Sequence, residues 1–253
     1  RVPFPGNDSQ PTLDALEAEC AGGAAAFIVE PLVLGAGGML MYPPEVLAEM
    51  RAICARHGTL FIADEVMTAW GRTGTLTACE QADVAPDIMC LSKGLTGGAM
   101  PLAVTMASEP IWDAHYSTDR TRTFYHSSSY TANPVACAAA NANLAIWREE
   151  PVPERIAALA AKQQAHLDAL AEHAMVRNAR RCGTIAALEL GDPGGSYLSD
   201  LGPKLLRRFR EADLLLRPLG NTVYVMPPYC IEDDDLARIW AEIGTAADAI
   251  AAD

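Results

Sequence analysis

The chain has 253 residues, 50% of them apolar, which is enough to bury a large core in one large or two modest domains. Acidic residues outnumber basic ones by 32 to 19, and the resulting net charge of −13 argues against a nucleic-acid-binding surface. No apolar run reaches membrane-spanning length, and the amino-terminal residues lack the apolar core of a secretory signal. These features predict a soluble cytoplasmic protein.

The cysteines and histidines show no metal-ligand spacing. The seven cysteines are scattered without a C-x-x-C pair, and the five histidines contain no H-E-x-x-H motif. We therefore predict buried free thiols and no metal site. A nicotinamide-binding fold is disfavoured because no G-x-G-x-x-G follows the first predicted strand.

The first part of the chain alternates short apolar runs with helical patterns. Residues 43–58 begin with prolines, carry apolar residues at helical spacing and end at Gly58, which predicts a helix between two strands, and therefore a βαβ unit. A second long helix is predicted over the alanine-rich residues 133–150. The short buried strands predicted from the apolar runs cover 24–30, 59–65, 87–93 and 101–107.

Beyond Pro151 the pattern becomes a mixture of helices and strands. We therefore predict two domains, residues 1–150 and residues 151–253, with a boundary placed to within about five residues. The elements predicted in the second domain are helices over 153–174 and 201–213, strands over 183–190 and 221–229, and a last helix from Asp233.

Asp64 and Lys93 each close a predicted strand. Ligands of parallel α/β sheets bind beyond the carboxyl ends of the strands, so the two residues present opposite charges to one crevice, as a structural ion pair or as a site. Gly94, Gly97 and Gly98 allow a ligand to approach the backbone closely, which favours a site. A lysine amine and an aspartate that holds a pyridinium nitrogen are the pair that pyridoxal phosphate requires.

The surrounding residues fit supporting roles. Lys93, leaving an apolar strand, is expected to be desolvated enough to act as a nucleophile. Only one carboxylate can face the ring nitrogen, so Glu65 is predicted to fix the geometry of the loop. Val66 is predicted to pack on a face of the cofactor ring.

Two motifs carry a family resemblance. FIADEVMTAWGRTG (61–74) followed by APDIMCLSKGLTGG (85–98) resembles the signature of the class III (ω) aminotransferases of fold-type I, and VEPLVLGAGGM (29–39) resembles their glutamate and glycine segment. The resemblance implies a pyridoxal 5'-phosphate enzyme in which Lys93 holds the cofactor and Asp64 its ring nitrogen, with Glu30 in support. It also implies an α/β fold in which 1–150 is the carboxyl-terminal part of a large, mainly parallel-sheet domain and 151–253 a small α+β domain.

Residues 126–147 and 215–229 resemble the biotin-pathway branch of this family. The resemblance implies that 8-amino-7-oxononanoate is the amino acceptor, that S-adenosylmethionine is the donor, and that the arginine of the R-P-x-G segment, Arg217, binds the substrate carboxylate. A planar guanidinium suits bidentate recognition of a carboxylate.

The family position that holds the cofactor phosphate of the neighbouring subunit falls on Ser129, with Ser128 beside it, so the resemblance implies a homodimer with shared active sites. Ser127 and Tyr224 match positions near the substrate. The other positions that match the family near the substrate or the subunit contact are Arg72 and Tyr229.

The resemblance also exposes a departure in length. Class III aminotransferases are considerably longer, and the glycine and serine turn around the phosphate, the aromatic residue stacked on the ring and the first part of the small domain have no counterpart here. We therefore expect this chain to be the carboxyl-terminal part of a longer protein, whose remainder is cleaved, carried on another chain or unrecorded. Two alternatives stay open: an ω-aminotransferase with an amino acid or diamine donor, and a non-catalytic subunit or inactive fragment.

Overall fold

The computed structural model describes residues 1–191 and 199–252, which form two compact units. The second unit takes up two short segments from within residues 1–150, so the division into domains 1–150 and 151–253 stays a prediction. Residues 192–198 and 253 of the predicted second domain lie outside the described ranges. The first unit consists of Arg1–Leu32, Tyr42–Trp70 and Thr75–Glu150, and the second of Val33–Met41, Gly71–Gly74 and Pro151–Asp253.

The helices and strands of the described residues follow the chain in this order. The strands are β1 (Ala26–Val29), β2 (Val33–Leu34), β3 (Leu40–Met41), β4 (Leu60–Asp64), β5 (Ile88–Leu91), β6 (Val104–Ala107), β7 (Val176–Cys182), β8 (Ile185–Leu190) and β9 (Thr222–Val225). The α-helices are α1 (Gln10–Ala21), α2 (Pro44–His57), α3 (Glu109–His115), α4 (Pro134–Glu149), α5 (Val152–Ala171), α6 (Leu201–Glu211) and α7 (Asp233–Ala252).

The first unit is built on a four-stranded sheet in the order β1-β4-β5-β6. β1, β4 and β5 are parallel, and β6 runs antiparallel to β5. The sheet is therefore mainly parallel, as predicted, and it carries the carboxyl ends of β4 and β5 to the same edge. The prediction of buried strands was wrong for β6, whose four residues are all exposed, and for β1 and β5, whose residues are exposed or half-buried in the described chain.

Helix α2 confirms the predicted βαβ unit between β1 and β4. It begins at Pro44, where a missing N–H costs no hydrogen bond, and it ends before Gly58, whose φ of 68° is left-handed. Its apolar stripe packs on α1 and β4. The residues of α2 buried there are Val46, Leu47, Met50, Ile53 and Cys54.

Helix α4 positions the loop that follows β5. The Asn133 side chain caps its first turn by accepting from the N–H groups of Val135 and Ala136, and Pro134 occupies the first helical position. The helix contacts the 3-10 helix Lys93–Thr96. The buried residues that join α4 to this region are Ala69, Trp70, Leu95 and Ala140.

The second unit contains the antiparallel sheet β7-β8-β9, helices α5, α6 and α7, and the β2–β3 hairpin. Strand β8 is buried over five of its six positions because the apolar faces of the helices cover it. The core of the unit includes Leu188, Phe209, Trp240 and Ile243. The predicted strands at 183–190 and 221–229 correspond to β8 and β9.

All seven cysteines are free thiols. Cys20, Cys54 and Cys79 are buried as predicted. Cys90, Cys137 and Cys182 are only half-buried and Cys230 is exposed, which corrects the expectation for these four residues. Within the described ranges, the helices include none that combines the length and apolar character needed to span a bilayer.

Candidate active site

Asp64 is the last residue of β4, at the carboxyl end of a parallel strand. It lies in register with Cys90 of β5, and its Oδ1 accepts a hydrogen bond of 3.1 Å from the N–H of Val66. Burial, followed by the charge of Asp64, raises the pKa of the Cys90 thiol. One oxygen of the carboxylate is thus held by the main chain of the loop that follows the strand.

Lys93 follows β5 by two residues and opens a 3-10 helix that ends before Gly97. Its backbone is left-handed, with a φ of 44°, a conformation that non-glycine residues rarely adopt. Its side chain is exposed, so the described residues do not provide the desolvation expected from its place after an apolar strand. The amine is therefore open to a ligand at the same sheet edge as Asp64.

No ion pair joins Asp64 to Lys93 within residues 1–191 and 199–252. The sheet topology brings the two residues to the ends of adjacent strands, yet they do not form an ion pair with each other. This arrangement favours a binding site over the structural ion pair that the sequence left open.

The Glu65 side chain lies inside the protein, where it is not available as a partner for a cofactor ring. Its side chain is fully buried, and its carboxylate accepts hydrogen bonds from the Thr68 hydroxyl and from the Cys79 N–H at 2.8 Å. Burial and the neighbouring Glu65 raise the pKa of the Cys79 thiol. These contacts hold the loop after β4, which is the geometry predicted for Glu65.

Glu30 lies just after β1, and its main-chain oxygen accepts a hydrogen bond of 2.9 Å from the Tyr42 hydroxyl. Burial raises the pKa of Tyr42 well above its ordinary value. Tyr42 also donates its N–H to the Leu32 oxygen, so the segment around Glu30 is fixed by two hydrogen bonds. The supporting role of Glu30 stays a prediction.

Ser127, Ser128 and Ser129 lie in an exposed segment that precedes α4. The Ser127 and Ser129 hydroxyls are 3.4 Å apart, and the Thr131 N–H donates to the Ser128 oxygen. The segment thus forms a turn whose serine hydroxyls are exposed, in the same unit as Asp64 and Lys93.

Arg217 and Tyr224 belong to the second unit. Arg217 is exposed in the segment between α6 and β9, and Tyr224 is half-buried in β9, opposite Ala187 of β8. A tight turn follows Arg217, in which the N–H groups of Leu219 and Thr222 each donate to the other residue's oxygen. Arg217 therefore lies two residues before a short, internally hydrogen-bonded turn.

Arg72 is half-buried within the second unit. Its Nη1 donates to the Pro227 oxygen at 2.6 Å, and its guanidinium carbon lies 4.7 Å from the centre of the Tyr229 ring. Burial lowers the pKa of Arg72, and burial likewise raises the pKa of Tyr229. Both residues have structural partners here, and their place near a substrate stays a prediction.

Sequence reasoning overlooked Asn143 of α4. Its Nδ2 donates to the oxygens of Gly94 at 2.9 Å and Leu95 at 3.2 Å, directly after Lys93. The available signal was a half-buried asparagine in the interior of an alanine-rich helix, where asparagine is a poor helix former. In the described part of the chain, no three histidine, cysteine, aspartate or glutamate side chains form a group able to hold a metal ion.

The profile of the Aminotransferase class-III family matches residues 7–246. The chain therefore belongs to this family. Its sheet and its structural neighbours are those of the fold-type I transferases, which confirms the predicted fold class.

Its curated relatives include two named adenosylmethionine-8-amino-7-oxononanoate aminotransferase. The relative from Synechococcus elongatus is 45% identical over 237 residues, which cover 92% of this chain and 55% of that protein. The relative from Geobacter sulfurreducens is 38% identical, over 85% of this chain and 49% of that protein. The chain thus spans about half the length of the curated relatives it matches.

Two solved transaminase structures are also similar to this chain. A transaminase from Virgibacillus is 29% identical, with a TM-score of 0.87 over 98% of this chain and 59% of its own length. An amine transaminase from an uncultivated Pseudomonas species, solved in its PLP-bound form, is 32% identical, with a TM-score of 0.87 over 99% of this chain and 60% of its own.

Proposed function

We propose that this chain is the lysine-bearing part of a pyridoxal-phosphate-dependent aminotransferase. The observation that carries the proposal is the pair at the sheet edge: Asp64 and Lys93 follow adjacent parallel strands at their carboxyl ends and form no ion pair with each other. Membership of the class III family supports the same conclusion.

The donor set fits this cofactor. Pyridoxal phosphate needs an amine for its aldehyde, a carboxylate at its ring nitrogen and hydrogen-bond donors for its phosphate. Lys93 supplies an exposed amine, Asp64 a carboxylate with one oxygen already fixed, and Ser128 and Ser129 exposed hydroxyls. Val66 would pack against a ring face.

When bound, the cofactor supplies an electron sink that stabilises negative charge on the carbon beside the substrate amine. The chain's residues then have distinct tasks. Asp64 keeps a proton on the ring nitrogen, since its negative charge stabilises the protonated ring. The Lys93 Nζ would move a proton as a general base and acid.

The substrates we propose are those of the curated relatives: 8-amino-7-oxononanoate as acceptor and S-adenosylmethionine as donor, giving 7,8-diaminononanoate for biotin synthesis. Arg217, just before its short turn, would bind the carboxylate of the acceptor. Ser127 and Tyr224 would contact the substrate.

A different donor within the same class is the second candidate. Several similar solved structures are titled amine or ω-transaminases, at 28 to 32% identity. The higher identity to the biotin-pathway relatives, 34 to 45%, favours S-adenosylmethionine over an amino acid or diamine. A donor screen separates these two candidates.

The assembly we propose is a homodimer with shared active sites, in which Ser129 serves the neighbouring subunit's cofactor. The amino-terminal part of the family length would come from the same protein or a second polypeptide, since this chain spans about half the length of these relatives. Residues 1–150 would be the end of the large domain and 151–253 the small domain.

The test is the visible absorption spectrum of the protein reconstituted with pyridoxal phosphate, with the intact mass of every polypeptide present. We expect an absorbance of lysine-bound cofactor that bleaches on adding S-adenosylmethionine and is lost in Lys93→Ala. Bleaching by a diamine but not by S-adenosylmethionine would select the second candidate. No such absorbance, with this chain alone in the mass spectrum, would support an inactive fragment instead.

A further inference from the structure

The backbone at Lys93 is strained and needs a restraint. Lys93 has a φ of 44°, and Gly97, at the end of the same turn, has a φ of 62°. Residues outside the preferred regions persist only where surrounding structure over-determines them, and they cluster at functional sites. The restraint must act on the main chain, because the Lys93 side chain is exposed.

Asn143 supplies that restraint. Its single Nδ2 bridges two consecutive carbonyls, 2.9 Å from the Gly94 oxygen and 3.2 Å from the Leu95 oxygen. Because both partners are acceptors, the amide orientation is fixed: nitrogen faces the turn. Among common side chains of this length, an aspartate would instead direct oxygen at both carbonyls.

The opposite side of the turn is also blocked. A Cβ on Gly94 would lie 2.7 Å from the Trp70 Cβ and 2.8 Å from the Cγ of its ring, so only glycine fits there. Leu95 is buried against Trp70 and Ala140. The turn is therefore packed between the Trp70 loop and α4, and Asn143 makes the polar contact from α4 to the turn.

We propose that Asn143 is a positioning residue for Lys93: it fixes the turn so that the Lys93 amine meets the cofactor aldehyde. This inference rests on the proposed function. A misplacement of about 1 Å in a reacting group lowers a rate by about a hundredfold, so loss of the bridge should be measurable at Lys93.

The experiment measures how fast pyridoxal phosphate labels each lysine of the full chain. Labelled amines are trapped by borohydride reduction and quantified by peptide mass. The chain has three lysines, so Lys162 and Lys204 are internal references. We expect Lys93 to react fastest in the wild type, and Asn143→Ala to lower its rate relative to Lys162 by about ten- to a hundredfold.

The matched control is Asn141→Ala, two residues away on α4 and exposed. It changes the same residue type without touching the turn, so we expect unchanged Lys93 labelling. Alanine favours the helix, so α4 should remain folded by circular dichroism. If Asn143→Ala unfolds, the isosteric Asn143→Asp, which also removes the donor, replaces it with the same expectation.

The outcomes separate the two proposals. If the wild type labels Lys93 no faster than Lys162 and Lys204, the proposed function fails, and this inference with it. If Lys93 is preferred in the wild type and equally in the folded Asn143 variant, this inference alone is overturned. The pH dependence of the lysine-bound absorbance gives a second readout, which a purely structural role for Asn143 would leave unmoved.

Discussion

Glu65 stabilises the loop behind Asp64 through a carboxylate that water does not reach. It is fully buried and accepts from the Thr68 hydroxyl and the Cys79 N–H. Glu65→Gln keeps the shape but turns an amide donor towards one of these donors, so we expect a loss of about 1–3 kcal/mol in the free energy of unfolding. Urea denaturation measures it.

The control for this change is Glu49→Gln on the exposed side of α2, which should alter stability by less than about 0.5 kcal/mol. Equal effects of the two substitutions would show that the Glu65 hydrogen bonds carry no net stability.

Cys182 is a half-buried thiol whose pKa is raised to about 11, chiefly by partial burial. Folding raises this pKa above its ordinary value of 9.0, so the folded state retains the proton and its stability falls as the pH rises from 9.0 towards 11. At about pH 8 we expect iodoacetamide to modify the exposed Cys230 well before Cys182, which has little thiolate. Peptide mass against time checks this order.

The rate at Cys182 should then climb steadily up to about pH 11, and Cys182→Ser identifies its peptide. Modification of Cys182 as fast as Cys230 at about pH 8 would mean that the strand end opens readily in solution.

The proposed pair of site residues was accessible to sequence reasoning because each member closes an apolar run. Asp64 and Lys93 do lie at adjacent strand ends. The contacts that hold the neighbouring loops were less accessible, since Asn143 reaches the turn after Lys93, and the Cys79 N–H reaches Glu65, from distant positions in the chain. The left-handed backbone of Lys93 could not be predicted either, because a lysine in the sequence does not indicate a positive φ.

At the scale of elements, apolar periodicity predicted those whose burial is strong. Helix α2 and strand β8 are examples. Strand β7 was missed, because it reads VRNARRC and only Val176 is fully buried. Its edge is held by Arg180, which donates to the oxygens of Gly38 and Met39. Helix α1 was missed because its buried stripe is narrow: Thr12, Leu13, Leu16 and Cys20.

The β7–β8 turn packs against the Gly71–Gly74 segment without room for a side chain. Gly183 has a φ of 55°, and a Cβ there would lie 2.2 Å from the Thr73 carbonyl carbon. Gly183→Ala therefore combines an unfavourable backbone with overpacking, and we expect a loss of about 2–4 kcal/mol in the free energy of unfolding. Thermal unfolding measures it.

Gly6→Ala is the matched control, because nothing lies within 4 Å of the added carbon. If Gly183→Ala unfolds at the same temperature as the wild type and Gly6→Ala, the stability of the second unit does not depend on this close approach.

At the scale of the whole molecule, sequence motifs identify the family, whereas they do not identify which side chains are exposed. The Asp64 and Lys93 motifs identify class III membership, confirmed over residues 7–246. Surface exposure depends on what each element packs against, which no single motif records. The described chain exposes several large apolar side chains in the first unit, namely Met106, Trp112, Tyr116, Phe124, Tyr125 and Tyr130.

Strand β6 is the most consequential of these surfaces. It lies at the edge of the described sheet, all four residues are exposed, and Met106 is 54% exposed. An apolar strand with an unpaired edge is a template for association with another chain. We expect the 253-residue polypeptide alone to show a mass above its 26.9 kDa monomer by size exclusion with light scattering, and Met106→Lys to shift it towards the monomer. Leu215→Lys, a 99% exposed position in the second unit, should not. A monomeric wild type, or equal effects of the two lysines, would remove β6 as the cause, because a charge on this edge acts by blocking strand pairing.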